Sequence, residues 1–263
     1  MLISLERASH LPRVLLSLSR QKARSLATRV HRRLTTRPVD IALPDRFVRR
    51  TLARHRIEPW FYLGAFRDRR SRWDFAMLYP WIADHWSRQA AILEVGCGCA
   101  LSLIWLGQHG FSRLYGSDIS GRNIAAGVEL AAKAGVDLQL WVDDGLKPSR
   151  PPVECDFILA VNWTFLVPGF DLGAFLGTHA AFLRPRGAIV VDAIDTAYDT
   201  VPNNQYRTSD WHLPEAMRHP TEYPSRYSFE DVVRAAEKAG FTIERTFSQY
   251  HLVPKTIYVL RKV

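Results

Sequence analysis

Leu93-Glu94-Val95-Gly96-Cys97-Gly98-Cys99-Ala100 is the stretch on which the fold turns. An apolar β-type run over 91–95 leads directly into two glycines one residue apart, and then into a helical segment over 101–109. Glycines at such a junction let the backbone turn sharply and let a ligand lie close to the main chain. Working outward, apolar runs of strand type recur at 113–117, 138–142, 156–161 and 188–191. Helical segments at 121–134 and 171–183 lie between them. Strands alternating with helices predict a parallel sheet covered on both faces. A helix over 229–239 closed by Gly240, then two runs at 242–247 and 256–260 joined by a turn at Pro254, complete the pattern. The expected fold is a doubly wound α/β domain: a mainly parallel seven-stranded sheet with an antiparallel last strand, behind a basic helical N-terminal extension.

In an open α/β sheet a ligand binds at the carboxyl ends of the strands, where the strand order reverses. The second strand ends at Asp118, twenty residues past Gly98, where a carboxylate accepts hydrogen bonds from ribose hydroxyls. The third ends at Asp143-Asp144, adding acid at the same sheet edge. A glycine turn and strand-end acids in register point to a nucleoside ligand. Dinucleotide sites read G-x-G-x-x-G/A and receive a pyrophosphate at the helix N-terminus. Here the pattern is G-x-G-x-A, and Glu94 stands two residues before the first glycine. A carboxylate beside the turn repels phosphate and suits an ammonium group, so the expected ligand carries an amino acid on its ribose.

With these residues in place, 91–263 resembles a class I S-adenosylmethionine-dependent methyltransferase, and 93–100 is the most specific segment of the likeness. The resemblance implies that Glu94, Gly96 and Gly98 hold the methionine moiety and Asp118 the ribose. It implies that Ile119 lies against adenine, that Asp143 or Asp144 bonds the adenine amino group, and that Asn162 lies near the methionine part and the transferred methyl. Residues 183–188 resemble the family's turn before strand five. Ala100 departs from the family pattern, in which many members have Gly.

Two features bear on the methyl acceptor. Asn162-Trp163-Thr164-Phe165 is similar to the N/D-P-P-Y/F loop of amino methyltransferases but lacks both prolines; an ordinary strand end is the competing reading. Between strand five and the last helix runs a long insertion, 195–226, carrying Tyr198, Tyr206, Trp211 and Tyr223 among polar residues, with Tyr227 just after it. A loop of this length is functional or disordered, and this composition is not that of a disordered one. Aromatic faces with polar neighbours suit a sugar acceptor, whose C–H faces pack on rings, and equally suit a well-packed lid. Segments of the insertion weakly resemble bacterial glycan O-methyltransferases, among them the rhizobial enzymes that 2-O-methylate fucose on nodulation signals. The expected activity is O-methylation of a sugar hydroxyl of a glycan or lipo-oligosaccharide, or of a similar polar metabolite. An N-methyltransferase or a nucleic-acid methyltransferase is the alternative. Candidate bases for a hydroxyl acceptor are Asp192 and Asp195 at the end of strand five and His212 and His219 in the insertion. The two aspartates could instead hold a divalent ion, although two acids alone do not make such a site.

Charge divides the 263-residue chain. Residues 1–72 hold 18 Lys and Arg against 5 acids, whereas the rest holds 17 against 21. The net charge of +9 thus belongs to the first quarter, a basic extension over 1–72, and the domain over 73–263 (cofactor core 91–192) is mildly acidic. A nucleic-acid enzyme lines its working cleft with cations, so the split argues against a nucleic-acid partner. Residues 1–37 place Leu11, Val14, Leu15 and Leu18 at helical spacing among nine Lys and Arg and one acid. Such a helix fits an anionic membrane surface, a transit-like leader or a solvated extension. The expected location is cytoplasmic, with the extension peripheral on the inner membrane surface. Three cysteines without zinc spacing read as packing residues, and no metal is expected.

Overall fold

The computed structural model describes residues 40–58, 73–149, 151–200, 223–250 and 254–263. The basic segment 1–37 and both histidines of the insertion, His212 and His219, lie outside the described residues, as do Tyr206 and Trp211.

Seven strands form one sheet: β1 (Ala91–Val95), β2 (Arg113–Asp118), β3 (Gln139–Val142), β4 (Cys155–Ala160), β5 (Leu183–Ile194), β6 (Phe241–Tyr250) and β7 (Pro254–Lys262). Their order is β3-β2-β1-β4-β5-β7-β6. The first five are parallel and the last strand is antiparallel, as the sequence predicts; β7 lies between β5 and β6. β1 lies third in the order, inside the sheet, and is buried along its whole length, which is why it reads as an apolar run with Glu94 its one charged residue. Ile92 and Val190 look toward helices α1 (Asp45–Arg54), α2 (Trp73–His85), α3 (Leu101–Gln108) and α4 (Gly121–Ala134). Leu93, Val95 and Val191 look toward α5 (Leu172–Ala180) and α6 (Phe229–Lys238). The strand order reverses between β1 and β4, which opens a crevice at their carboxyl ends.

Local chemistry sets the helix ends. Ser120 accepts the Asn123 N–H to start α4, and Gly135, at φ +67°, closes it. Ser228 and Asp231 form a capping box on α6. Those backbone and side-chain bonds from Ser228 hold the Asp231 carboxyl below its ordinary value. Helix α1 buries Val48, Thr51 and Leu52, and its end is pinned to α4: Glu129 receives Arg54 at 2.7 Å and His55 at 2.6 Å.

Two boundaries differ from the sequence pattern. Helix α5 ends at Ala180, and β5 begins at Leu183 rather than at 188. Cys155 pairs with Leu183 and Phe157 with Ala188, so three extra residues of β5 bulge out. Arg186 there adopts φ +60°, and a Cβ on Gly187 would stand 3.0 Å from the Arg184 carbonyl oxygen. A polar bulge hides a strand start from hydrophobic periodicity. Pro254 is the first residue of β7, opposite Tyr250, rather than the hairpin turn; the first residue of a strand tolerates a missing N–H.

His179 lies in α5 at 1% exposure, with Nδ1 2.9 Å from the Phe175 carbonyl oxygen. A carbonyl only accepts, so the neutral ring carries its proton on Nδ1, and Nε2 has no partner among the described residues. Burial pushes this imidazole below its ordinary value. A folded pKa depressed in this way contributes stability above the unfolded value of about 6.5, and that stability is lost as the pH falls below it. Urea unfolding between pH 7.5 and 5.5 is expected to show a fall of up to about 1.4 kcal/mol per pH unit from this residue. His179→Leu is expected to abolish that component, and an unchanged slope would refute the assignment.

Candidate cofactor and methyl-transfer site

The turn after β1 is built from three left-handed residues: Gly96 at φ +71°, Gly98 at +55° and Ala100 at +56°. Gly96 is required twice over, because a Cβ there would lie 2.6 Å from the Trp163 ring. Trp163 in turn donates its Nε1–H to the Val95 carbonyl oxygen at 2.8 Å, which locks the end of β4 against the turn. Gly98 is different: a Cβ there meets nothing within 4 Å and would enter open space. Ala100, fully buried, takes the conformation that glycine would take without strain.

Asp118 ties this turn to the start of α4. Its Oδ2 accepts the Gly98 N–H at 2.8 Å; its Oδ1 accepts the Ser120 N–H at 2.9 Å and the Asn123 amide at 3.1 Å. Three of its roughly four lone-pair sites are thereby occupied, and the last is open to a ligand hydroxyl. Above the carboxylate lies a cavity of about 470 Å³, within the roughly 300–1,000 Å³ of small-molecule sites. Gly96, Gly98, Asp118, Asn162 and Trp163 line it from the sheet. Leu52, Arg56 and Glu58 line it from the end of α1 and the residues after it.

The remaining candidates take distinct places. Glu94 stands behind the turn rather than on the cavity wall, 5% exposed, receiving the Tyr79 hydroxyl at 3.1 Å and the Ser102 hydroxyl. Ile119 is 73% exposed just past the end of β2, free to cover an aromatic ring. Asp143 accepts from the Ser149 N–H at 3.0 Å and hydroxyl at 2.9 Å, and Asp144 from the Leu146 N–H at 2.9 Å. Both carboxylates thus order the turn after β3. The Asp143 N–H reaches the Asp118 carbonyl oxygen at 3.1 Å, so that turn is anchored beside the cavity.

At the end of β4, Asn162 adopts φ +71°, a conformation that asparagine tolerates better than most residues. Both oxygens of Asp192 hold its backbone N–H, at 3.0 and 2.9 Å. Lys255 of β7 bonds Asn162 Oδ1 at 2.5 Å and Asp192 Oδ2 at 2.6 Å, and its ammonium lies 5.0 Å from the centre of the Phe165 ring. The Asp192 side chain has no exposed surface; its carboxylate organises the loop and does not face the cavity. Asp195 caps the short helix Thr196–Thr200 through the Ala197 N–H at 2.7 Å. It lines a second cavity of about 250 Å³ with Phe229, Thr246, Ser248, Thr256 and Tyr258. Asp192 and Asp195 therefore serve different surroundings, and among the described residues no cluster of three or more metal-ligating side chains occurs. The cysteines are buried thiols; burial pushes Cys99 and Cys155 up to about 12 and raises Cys97 as well.

Gly98→Val tests the cavity. A branched side chain at φ +55° pointing into open space is expected to weaken S-adenosylhomocysteine binding at least about tenfold, while backbone strain lowers stability by roughly 1–2 kcal/mol. Calorimetry and thermal melts check the two parts, and unchanged affinity would place the ligand elsewhere.

Comparison with known proteins gives the family and the fold. A family model described as a methyltransferase domain matches residues 21–246. No curated protein matches. Magnesium protoporphyrin IX methyltransferase from Synechocystis PCC 6803, with bound S-adenosylhomocysteine, superposes with a TM-score of 0.57 at 17% identity, covering 71% of this chain and 80% of that one. A methyltransferase from Methanosarcina mazei gives 0.57 at 16% identity, over 71% and 98%. A protein from Pyrococcus horikoshii OT3 gives 0.59 at 18%, over 80% and 99%. At these identities the structures share the fold, while the family match spans most of the sequence: the chain belongs to this family of S-adenosylmethionine-dependent methyltransferases.

Proposed function

We propose that the chain methylates an oxygen of a polar acceptor: a sugar hydroxyl of a glycan or lipo-oligosaccharide, nodulation factors included, or a similar metabolite. The observation that carries the cofactor half is Asp118, fixed by three donors beneath a cavity that Gly98 leaves open. In this reading Asp118 holds the ribose hydroxyls, Ile119 covers adenine, and the Gly96–Gly98 turn lies along the methionine chain. Asn162 and Trp163 wall the end at which the methyl leaves. S-adenosylmethionine supplies a methyl already activated on a sulfonium: the acceptor oxygen takes it and loses a proton, and the carbon–sulfur pair stays on sulfur. The chain's own work is to align the acceptor and receive that proton. Asp195, half-buried at the end of β5, and His212 are the candidate bases; Asp192, tied to Lys255, is a positioning residue.

Support for a sugar acceptor comes from the aromatic and polar make-up of 195–226. The cavity that joins Asp195 and three hydroxyl side chains to Phe229 and Tyr258 has the same character. The extension over 1–37 would hold the enzyme at an anionic surface; among the described residues no helix is long and apolar enough to cross a membrane. Sedimentation of the full chain with anionic but not neutral vesicles is expected, and equal sedimentation with both would refute it. The acceptor is tested by incubating the protein with methyl-labelled S-adenosylmethionine and extract of its source cells, then fractionating the label. Label in glycan or lipid-linked sugar supports the reading; label in nucleic acid or protein overturns it.

A further inference from the structure

We propose that Lys255 fixes the polarity of the Asn162 amide, so that the site offers hydrogen-bond donors to the reacting atom of the acceptor and selects oxygen over amine nucleophiles. The inference rests on the methyl-transfer reading above. An ammonium carries three donors and no acceptor, so only the oxygen of the Asn162 amide can face Lys255 Nζ, at 2.5 Å. The Nδ2 group then points the other way. Asn162 lines the larger cavity, and its Nδ2 has no partner among the described residues. Its backbone N–H is already held by Asp192, whose carboxylate also anchors Lys255 at 2.6 Å. The ammonium is thus held between a buried carboxylate and the Phe165 ring, and the amide is held in turn.

The chemistry of the acceptor follows. An amine attacking through its one lone pair turns its N–H bonds toward the site and needs oxygen acceptors there. Asn162 instead presents N–H groups, so donors would oppose donors, an arrangement that rejects a ligand. A hydroxyl or carboxylate oxygen attacks through one lone pair and keeps another that receives an Asn162 N–H. Sites whose polar groups are left unpaired by the wrong ligand discriminate strongly against it. This separates the chain from amino methyltransferases, to whose loop 162–165 has only a partial likeness.

The test uses the full chain, S-adenosylmethionine carrying a ¹³C methyl, and extract of the source cells, with the product's carbon shift read by NMR. A methoxy signal is expected. An N-methyl signal overturns the inference and leaves methyl transfer standing. No transfer at all, in a protein that binds S-adenosylhomocysteine, refutes the transfer reading and the inference with it. Asn162→Asp exchanges the donors for acceptors in nearly the same shape. It is expected to lower methoxy formation at least about tenfold while S-adenosylhomocysteine affinity changes less than about threefold. A parallel tenfold loss of that affinity would make Asn162 a cofactor ligand and overturn the proposal. Lys255→Arg, again a cation that only donates, is expected to restore the methoxy product of Lys255→Met, and failure to do so counts against the amide lock.

Discussion

Replacing Asp118 with alanine is expected to remove most S-adenosylmethionine binding. The carboxylate gathers the Gly98 N–H, the Ser120 N–H and the Asn123 amide, and in the proposed site its remaining lone pair would meet the ligand. Hydrogen bonds to a charged group contribute about 1.5–3 kcal/mol each. The substitution removes the ligand contact and also releases the turn from α4. Affinity is expected to fall by more than about a hundredfold, since roughly 1.4 kcal/mol corresponds to each tenfold. Asp118→Asn keeps one acceptor oxygen and is expected to lose only about tenfold. Equilibrium dialysis with labelled cofactor measures both, and thermal melts confirm that the variants are folded. Near-native affinity in the alanine variant would remove Asp118 from the site.

Lys255→Met has the largest effect expected on stability. It strands Asp192, whose side chain has no exposed surface, without the ammonium 2.6 Å away. Removing one partner of a buried pair costs about 3–5 kcal/mol. In a domain of this size that lowers Tm by about 10 °C. The companion change Asp192→Asn, made together with Lys255→Met, leaves a neutral oxygen for the Asn162 N–H. It is expected to recover most of the loss, since neutral replacement of a buried pair is far less costly than breaking it. A single variant as stable as wild type would show that the pair does not organise the loop.

What could be read from the sequence is what is contiguous. β1, the glycine turn and Asp118 lie within 28 residues, and strand 91–95 and helix 121–134 fall where periodicity places them. Glu94 illustrates the limit. Its charge suggests an ammonium partner, yet a central strand covered on both faces turns it toward Tyr79 and Ser102. Asp143 and Asp144 read as ligand acids, and their carboxylates order the turn after β3. Lys255 carried no signal at all. It meets Asn162 across 93 residues, through an antiparallel pairing of β7 with β5 that no local pattern encodes. Trp163 was legible as an aromatic and not as the reason Gly96 must be glycine. That reason is a distance between two loops.

A cavity over Gly98 and Asp118 that holds an S-adenosyl ligand should bind the demethylated cofactor in the isolated protein. Calorimetric titration of the full wild-type chain with S-adenosylhomocysteine tests it most directly. Saturable binding of one molecule per chain, displaced by S-adenosylmethionine, is expected. A titration without binding heat, confirmed by the absence of any thermal shift, would contradict it.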